Sequence, residues 1–124
     1  MREEFFKTGE KELNEAHELL EIDFCDDGLV FFHLQNATRA LLKALGLSYG
    51  LDVEKVGSIR NLIELIKQKT TVKFPDWIEQ IIELEEISMS DGCAASICYD
   101  YDMYGDIVEA VDALYEFVKE QIQG

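Results

Sequence analysis

Positive charge is what this chain has least of. Eleven Lys and Arg stand against twenty-six Asp and Glu, a formal net charge of -15, and the only arginines are Arg2, Arg39 and Arg60. A surface of that sign repels phosphate backbones and anionic membranes over a Debye length of about 8 Å. Affinity for nucleic acid comes largely from Lys and Arg neutralising phosphates, so RNA or DNA binding by this chain alone is disfavoured. A basic partner is compatible with the charge, and so is a plain role in keeping the protein dispersed.

Cysteine and long apolar runs are scarce as well. Cys25, Cys93 and Cys98 are odd in number and lack framework spacing, which points away from a disulfide scaffold and toward a reducing cytosol. The opening residues Met1 to Phe6 contain no signal-peptide core, and no apolar run approaches a membrane span. The expectation is a soluble, cytoplasmic protein. Chemical motifs are also missing. The sequence has no Gly-rich phosphate loop and no His-Glu-x-x-His helical metal motif, and Cys93 and Cys98 do not make a Cys-x-x-Cys pair. No metal and no cofactor are expected. Cys25 would be a nucleophile only beside a base, and a free cysteine more often behaves as a small hydrophobe.

What is present is apolar content at helical spacing. At 124 residues with 48% apolar and 10% aromatic residues, the chain suits one globular domain. Phe6, Gly9, Leu13, Ala16 and Leu20 recur at steps of three and four, predicting an amphipathic helix over about 2–22 with Gly9 on its inner stripe. A glycine there weakens the helix by about 1 kcal/mol relative to Ala but permits close approach of a neighbour. After a turn at 23–28 comes a second helix, running to a C-terminal glycine at Gly46. The pattern lapses over 47–57, the longer loop. Ser58 then caps a third helix carrying Ile59, Leu62, Ile63 and Ile66, closed by Lys67 and Lys69. Residues 69–74 are β-branched but too isolated to pair as a strand. Pro75 suits the first position of a fourth helix with Trp77, Ile78, Ile81, Ile82 and Leu84, ending near Ser88. Residues 90–103 show no clean period. A last helix over about 104–121 carries Ile107, Val108, Val111, Leu114, Tyr115 and Val118. Short connections favour antiparallel neighbours, so the predicted architecture is all-α: an up-and-down bundle of four main helices with a fifth element.

The second helix is apolar or small around most of its circumference, which places it in the middle of the bundle. His33, Ala37, Ala40 and Ala44 form one stripe, and Leu34, Leu41 and Leu45 form the next. Its few polar residues, His33, Gln35, Asn36, Arg39 and Lys43, must therefore face a neighbouring helix or a groove. His17 reads as half-buried packing beside Leu13 and Leu20. His33 reads first as a core histidine satisfied by a carbonyl or a side chain of an adjacent helix. Arg39 and Lys43, one turn apart, suit either a salt-bridged helix edge or contact with a phosphate or acidic group.

The run Phe32-His33-Leu34-Gln35-Asn36-Ala37, followed by Leu41-Leu42-Lys43-Ala44-Leu45, resembles the second helix of small prokaryotic HEPN domains (higher eukaryotes and prokaryotes nucleotide-binding). That family's helix looks like Phe-His-x-Gln-Gln-Ala with a Leu-Lys-Ala-Leu ending. The order and lengths of the other helices agree more loosely. The resemblance implies a helical bundle that tends to dimerise and that is often produced beside a minimal nucleotidyltransferase, as a toxin and antitoxin pair.

Many members of that family are ribonucleases with an Arg followed, after four to six residues, by His near the start of the last helix. Here the histidines are His17 and His33, no arginine lies at that distance before either, and the corresponding region reads Cys98-Tyr99-Asp100-Tyr101-Asp102. The expected function is therefore a non-catalytic binding module that docks on a nucleotidyltransferase or binds a nucleotide-like small molecule beside the second helix. His33, Asn36, Arg39 and Lys43 are the candidate contacts, with Tyr99, Tyr101 and Tyr104 available to stack on a base or meet a partner. In some members a tyrosine near the ribonuclease motif receives a nucleotide from the partner, which would bear on Tyr99 or Tyr101. The alternative is a small enzyme, either a divergent ribonuclease using Arg39 or Arg60 with His33, or a carboxylate acid-base catalyst at Asp100 and Asp102.

Overall fold

The computed structural model describes residues 2–21, 27–86 and 101–123. Five helices occupy them: α1 (Arg2–Glu21), α2 (Asp27–Ser48), α3 (Ile59–Lys69), α4 (Ile78–Glu86) and α5 (Tyr101–Gln123), with no strand among the described residues. The chain forms an all-α bundle.

α2 is its centre. Val30, Phe31, Leu34, Ala37, Ala40, Leu41, Leu42, Ala44 and Leu45 are all buried, and the helix packs against each of the other four. An apolar circumference this wide leaves the helix only one narrow stripe toward solvent, as the small and large stripes predict. Direction follows from residue pairs. Phe5 lies by Lys43, Gly9 by Leu41 and Glu12 by His33, so α1 and α2 are antiparallel. Glu10 meets Tyr115 and His17 meets Asp112, so α5 is antiparallel to α1 as well. Trp77 meets Phe117, and Gln80 shares a groove with Glu109 and Ala110, which sets α4 against α5 in the opposite sense. Thus α1, α2, α4 and α5 alternate in direction, and the short α3 is the additional element.

Gly9 performs the role its stripe implies. A Cβ at this position would stand 2.7 Å from Leu41 Cγ and 3.2 Å from the Ala37 carbonyl oxygen, so its absence sets how near α1 lies to α2. Gly46, in contrast, does not end α2. The helix continues to Ser48, and the terminating residue is Gly50, with φ of 78°. Leu51 N–H donates to Gly46 O and Gly50 N–H to Leu47 O, both at 3.0 Å, the paired bonds of a Schellman ending. Gly46 is needed for a different reason. A Cβ there would stand 2.8 Å from Val53 Cγ1, and Val53 is fully buried where the returning loop packs on the helix.

The third helix agrees with its sequence in detail. The Ser58 hydroxyl accepts from Asn61 N–H at 3.3 Å, and Ile59, Leu62, Ile63 and Ile66 are buried. Thr70 closes it, its N–H and hydroxyl both donating to Ile66 O. α4 starts later than Pro75 suggests. Pro75 heads a turn in which its carbonyl accepts from Ile78 N–H at 3.1 Å, and the helix begins at Ile78. Phe74, just before that turn, and Trp77, within it, pack on Phe117 of α5, with ring centroids 5.6 and 5.7 Å away. α5 begins three residues before the expected start at 104, which puts Tyr101 and Tyr104 in its first turn.

Candidate functional site

The polar residues of α2 divide between two faces. Successive helical residues lie about 100° apart, so Phe32, Asn36, Arg39 and Lys43 share one stripe, and His33 sits at the border between that stripe and α1. Phe32 is 46% exposed, and Asn36, Arg39 and Lys43 are half-buried.

Arg39 and Lys43 hold backbone. Arg39 Nε donates to Gly57 O at 2.8 Å, and Lys43 Nζ donates to Glu54 O at 3.1 Å. The Lys43 ammonium also stands 5.6 Å over the Phe5 ring. The two cations thereby strap the 51–57 connection to the outside of α2. A guanidinium has further N–H groups in its fork, so this use leaves Arg39 with donor capacity on its exposed side.

His33 is engaged by α1. Its Nδ1 lies 2.5 Å from Glu12 Oε2 and 3.2 Å from Glu15 Oε2, and the Phe32 ring meets the imidazole edge-on at 5.6 Å. This is the satisfied histidine the helix pattern implies, and the partner is a pair of carboxylates. Gln35, buried against α4, donates from Nε2 to Leu84 O at 3.0 Å. Of the tyrosines, Tyr101 and Tyr104 lie at the start of α5, at the end of the bundle where α2 begins, and Tyr99 lies outside the described residues. Lys43 is about 15 Å of helix beyond His33, so α2 and the tyrosines do not form one compact cluster.

A second polar cluster lies between α1 and α5. His17 Nε2 is 2.7 Å from Asp112 Oδ1, and the Tyr115 hydroxyl donates to the Glu10 carboxylate. Phe6 stacks on the Tyr115 ring with centroids 5.3 Å apart, and Leu13 and Asn14 complete a shallow cleft of about 230 Å³. The bond to Glu10, together with burial and the negative charges of Glu10 and Glu116, pushes the Tyr115 phenol up to about 12. His17 is thus more than packing, because it ties α1 to α5. Glu10, Glu12, Glu15, Asp112 and Tyr115 were not legible as partners in the sequence, since periodicity describes one helix and each pairing joins two.

A sequence model of the HEPN domain matches residues 2–121. The chain belongs to the HEPN family. No curated protein and no solved structure matches it. Membership covers the whole bundle and agrees with the second-helix resemblance. Both histidines of this HEPN chain stand on α1 and α2 and are held by carboxylates, whereas the ribonuclease members of the family carry theirs near the start of the last helix. No described helix is long and apolar enough to cross a membrane.

Proposed function

We propose that this HEPN chain is a non-catalytic binding module that docks on a minimal nucleotidyltransferase, in the manner of a toxin and antitoxin pair. The observation that carries the reading is the absence from the sequence of any Arg followed at ribonuclease spacing by His. Two further features support it. His33 and His17 are each engaged by carboxylates, which would have to release them before either worked on an RNA phosphate. The net charge of -15 opposes the approach of RNA.

The partner-facing surface in this reading is the outer stripe of α2. Phe32 is its exposed apolar contact, Asn36 its amide, and Arg39 and Lys43 its cations, with Tyr101 and Tyr104 at the near end of α5. A nucleotide-like ligand would use the same cations for its phosphate. Two copies of the module associating as a homodimer agree with the family habit.

Co-expression with a minimal nucleotidyltransferase encoded beside it tests the reading. Stable co-purification that is lost in Phe32→Glu and weakened in Arg39→Glu is the expected result. Failure to associate, or cleavage of RNA by the purified chain that disappears in His33→Ala, overturns it. Partner-independent nucleotide binding that depends on Arg39 would replace the docking role with the ligand one. Light scattering on the isolated chain reports the homodimer.

A further inference from the structure

We infer that Glu12, Glu15 and His33 form a binding site for a first-row divalent metal ion. The three side chains come from two antiparallel helices. Glu12 and Glu15, three residues apart, project from one face of α1, and α2 brings His33 Nδ1 between them. One donor atom from each lies within 4.8 Å of the other two. The Nδ1 separations are 2.5 Å to Glu12 and 3.2 Å to Glu15.

Two properties of this cluster point beyond a simple ion pair. The first is charge. Two carboxylates face a single imidazole in a sheltered place, where the side chains of His33, Glu12 and Glu15 are 15%, 21% and 37% exposed, so the cluster carries excess negative charge. A divalent ion cancels both. The second is geometry. Donors about 2.1 Å from a tetrahedral metal stand about 3.4 Å from one another, so an ion requires the 2.5 Å Glu12 contact to lengthen and the two carboxylates, now within 4.8 Å, to converge on it. Facing helices of a bundle commonly build metal sites from Glu and His in this way. Binding places the ion on Nδ1 and leaves the imidazole proton on Nε2.

The donor set selects the ion. One imidazole nitrogen and two carboxylate oxygens suit Zn²⁺, Mn²⁺ or Co²⁺; the nitrogen disfavours Ca²⁺ and Mg²⁺, and the lack of thiolate disfavours Cu(I). Three protein donors leave at least one position for water, on the side of Glu15, the most exposed of the three. The overall charge of -15 concentrates cations at the surface. A resident ion would join α1 to α2 at a point remote from the Arg39 and Lys43 straps. The inference stands independently of the docking role.

Calorimetry of the untagged full chain with Zn²⁺, in a background where Cys25, Cys93 and Cys98 are replaced by Ser, tests it, with Mn²⁺ uptake by electron paramagnetic resonance on the unmodified chain as a thiol-independent measure. One ion per chain is expected, with a rise in Tm. Affinity should fall about tenfold or more in Glu12→Gln and Glu15→Gln and vanish in His33→Gln, while His17→Gln binds as the parent does. Far-UV circular dichroism establishes that each variant is folded. If His33→Gln is not folded, Glu15→Gln decides, because its partner contact is the longer and more exposed one. No uptake up to about 1 mM ion, or equal uptake by all variants, overturns the site.

Discussion

Gly9 of α1 lies so close to Leu41 of α2 that a methyl group on Gly9 would stand 2.7 Å from Leu41 Cγ and 2.8 Å from Cδ2. Leu41 is fully buried and cannot swing outward, and the Ala37 carbonyl behind it is backbone. Replacing a mid-helix Gly by Ala ordinarily adds about 1 kcal/mol of helix propensity. Here overpacking of about 1–3 kcal/mol outweighs it, so Gly9→Ala should lower stability by about 1 kcal/mol. Gly57→Ala, where nothing lies within 4 Å of the added carbon, should be neutral or slightly stabilising. Urea midpoints of the two variants decide the matter, and a raised midpoint for Gly9→Ala would show that the helices have room to separate.

Gln35 fastens the end of α4 to α2 through the 3.0 Å bond to Leu84 O, and its side chain is buried. Gln35→Leu keeps the volume but leaves a buried carbonyl without that donor, at a cost of about 1–3 kcal/mol. The loss should appear as faster amide exchange across α4 before any change in α3. Uniform loosening of the bundle would argue that Gln35 acts on the core as a whole.

Arg39 and Lys43 are expected to act locally. Arg39→Ala should leave global stability within about 1 kcal/mol and speed amide exchange over 51–58, because the lost bond ends on the exposed Gly57 carbonyl. Lys43→Met, which keeps an unbranched stem near Phe5, should show a smaller effect. Unchanged exchange in both variants would mean that Val53 packing alone holds the connection.

Tyr115 provides a pH test. Its phenol is pushed up from 10 to about 12, chiefly by its bond to Glu10. The neutral phenol is thereby favoured in the folded state, so its contribution to stability is full below pH 10 and is lost as pH rises from 10 through about 12. The difference in tyrosinate absorbance between the parent and Tyr115→Phe should titrate near 12, and Glu10→Gln should move it back toward 10. A midpoint near 10 in the parent would mean that the Glu10 bond does not persist in solution.

The candidate site was only half legible in the sequence. His33 was recognisable as a satisfied histidine because its neighbours in α2 are small and apolar, but Glu12 and Glu15 lie on a helix whose many acids look alike until α2 is laid against it. The same limit applies to His17 and Asp112, 95 residues apart in the chain. Arg39 and Lys43 were visible as a cationic pair, yet their acceptors are backbone carbonyls, which carry no sequence signature.

What the sequence by itself determined is what depends on local order. The period of Ile59, Leu62, Ile63 and Ile66, the Ser58 cap, the apolar circumference of α2 and the missing Arg-His spacing each involve residues within a few turns of one another. Tertiary structure decided everything that needs two elements. It made Gly46 a seat for Val53 and gave the helix ending to Gly50. It also gathered Glu12, Glu15 and His33 around one point, because the close approach permitted by Gly9 brings α1 against α2 and converts scattered charges into a single cluster.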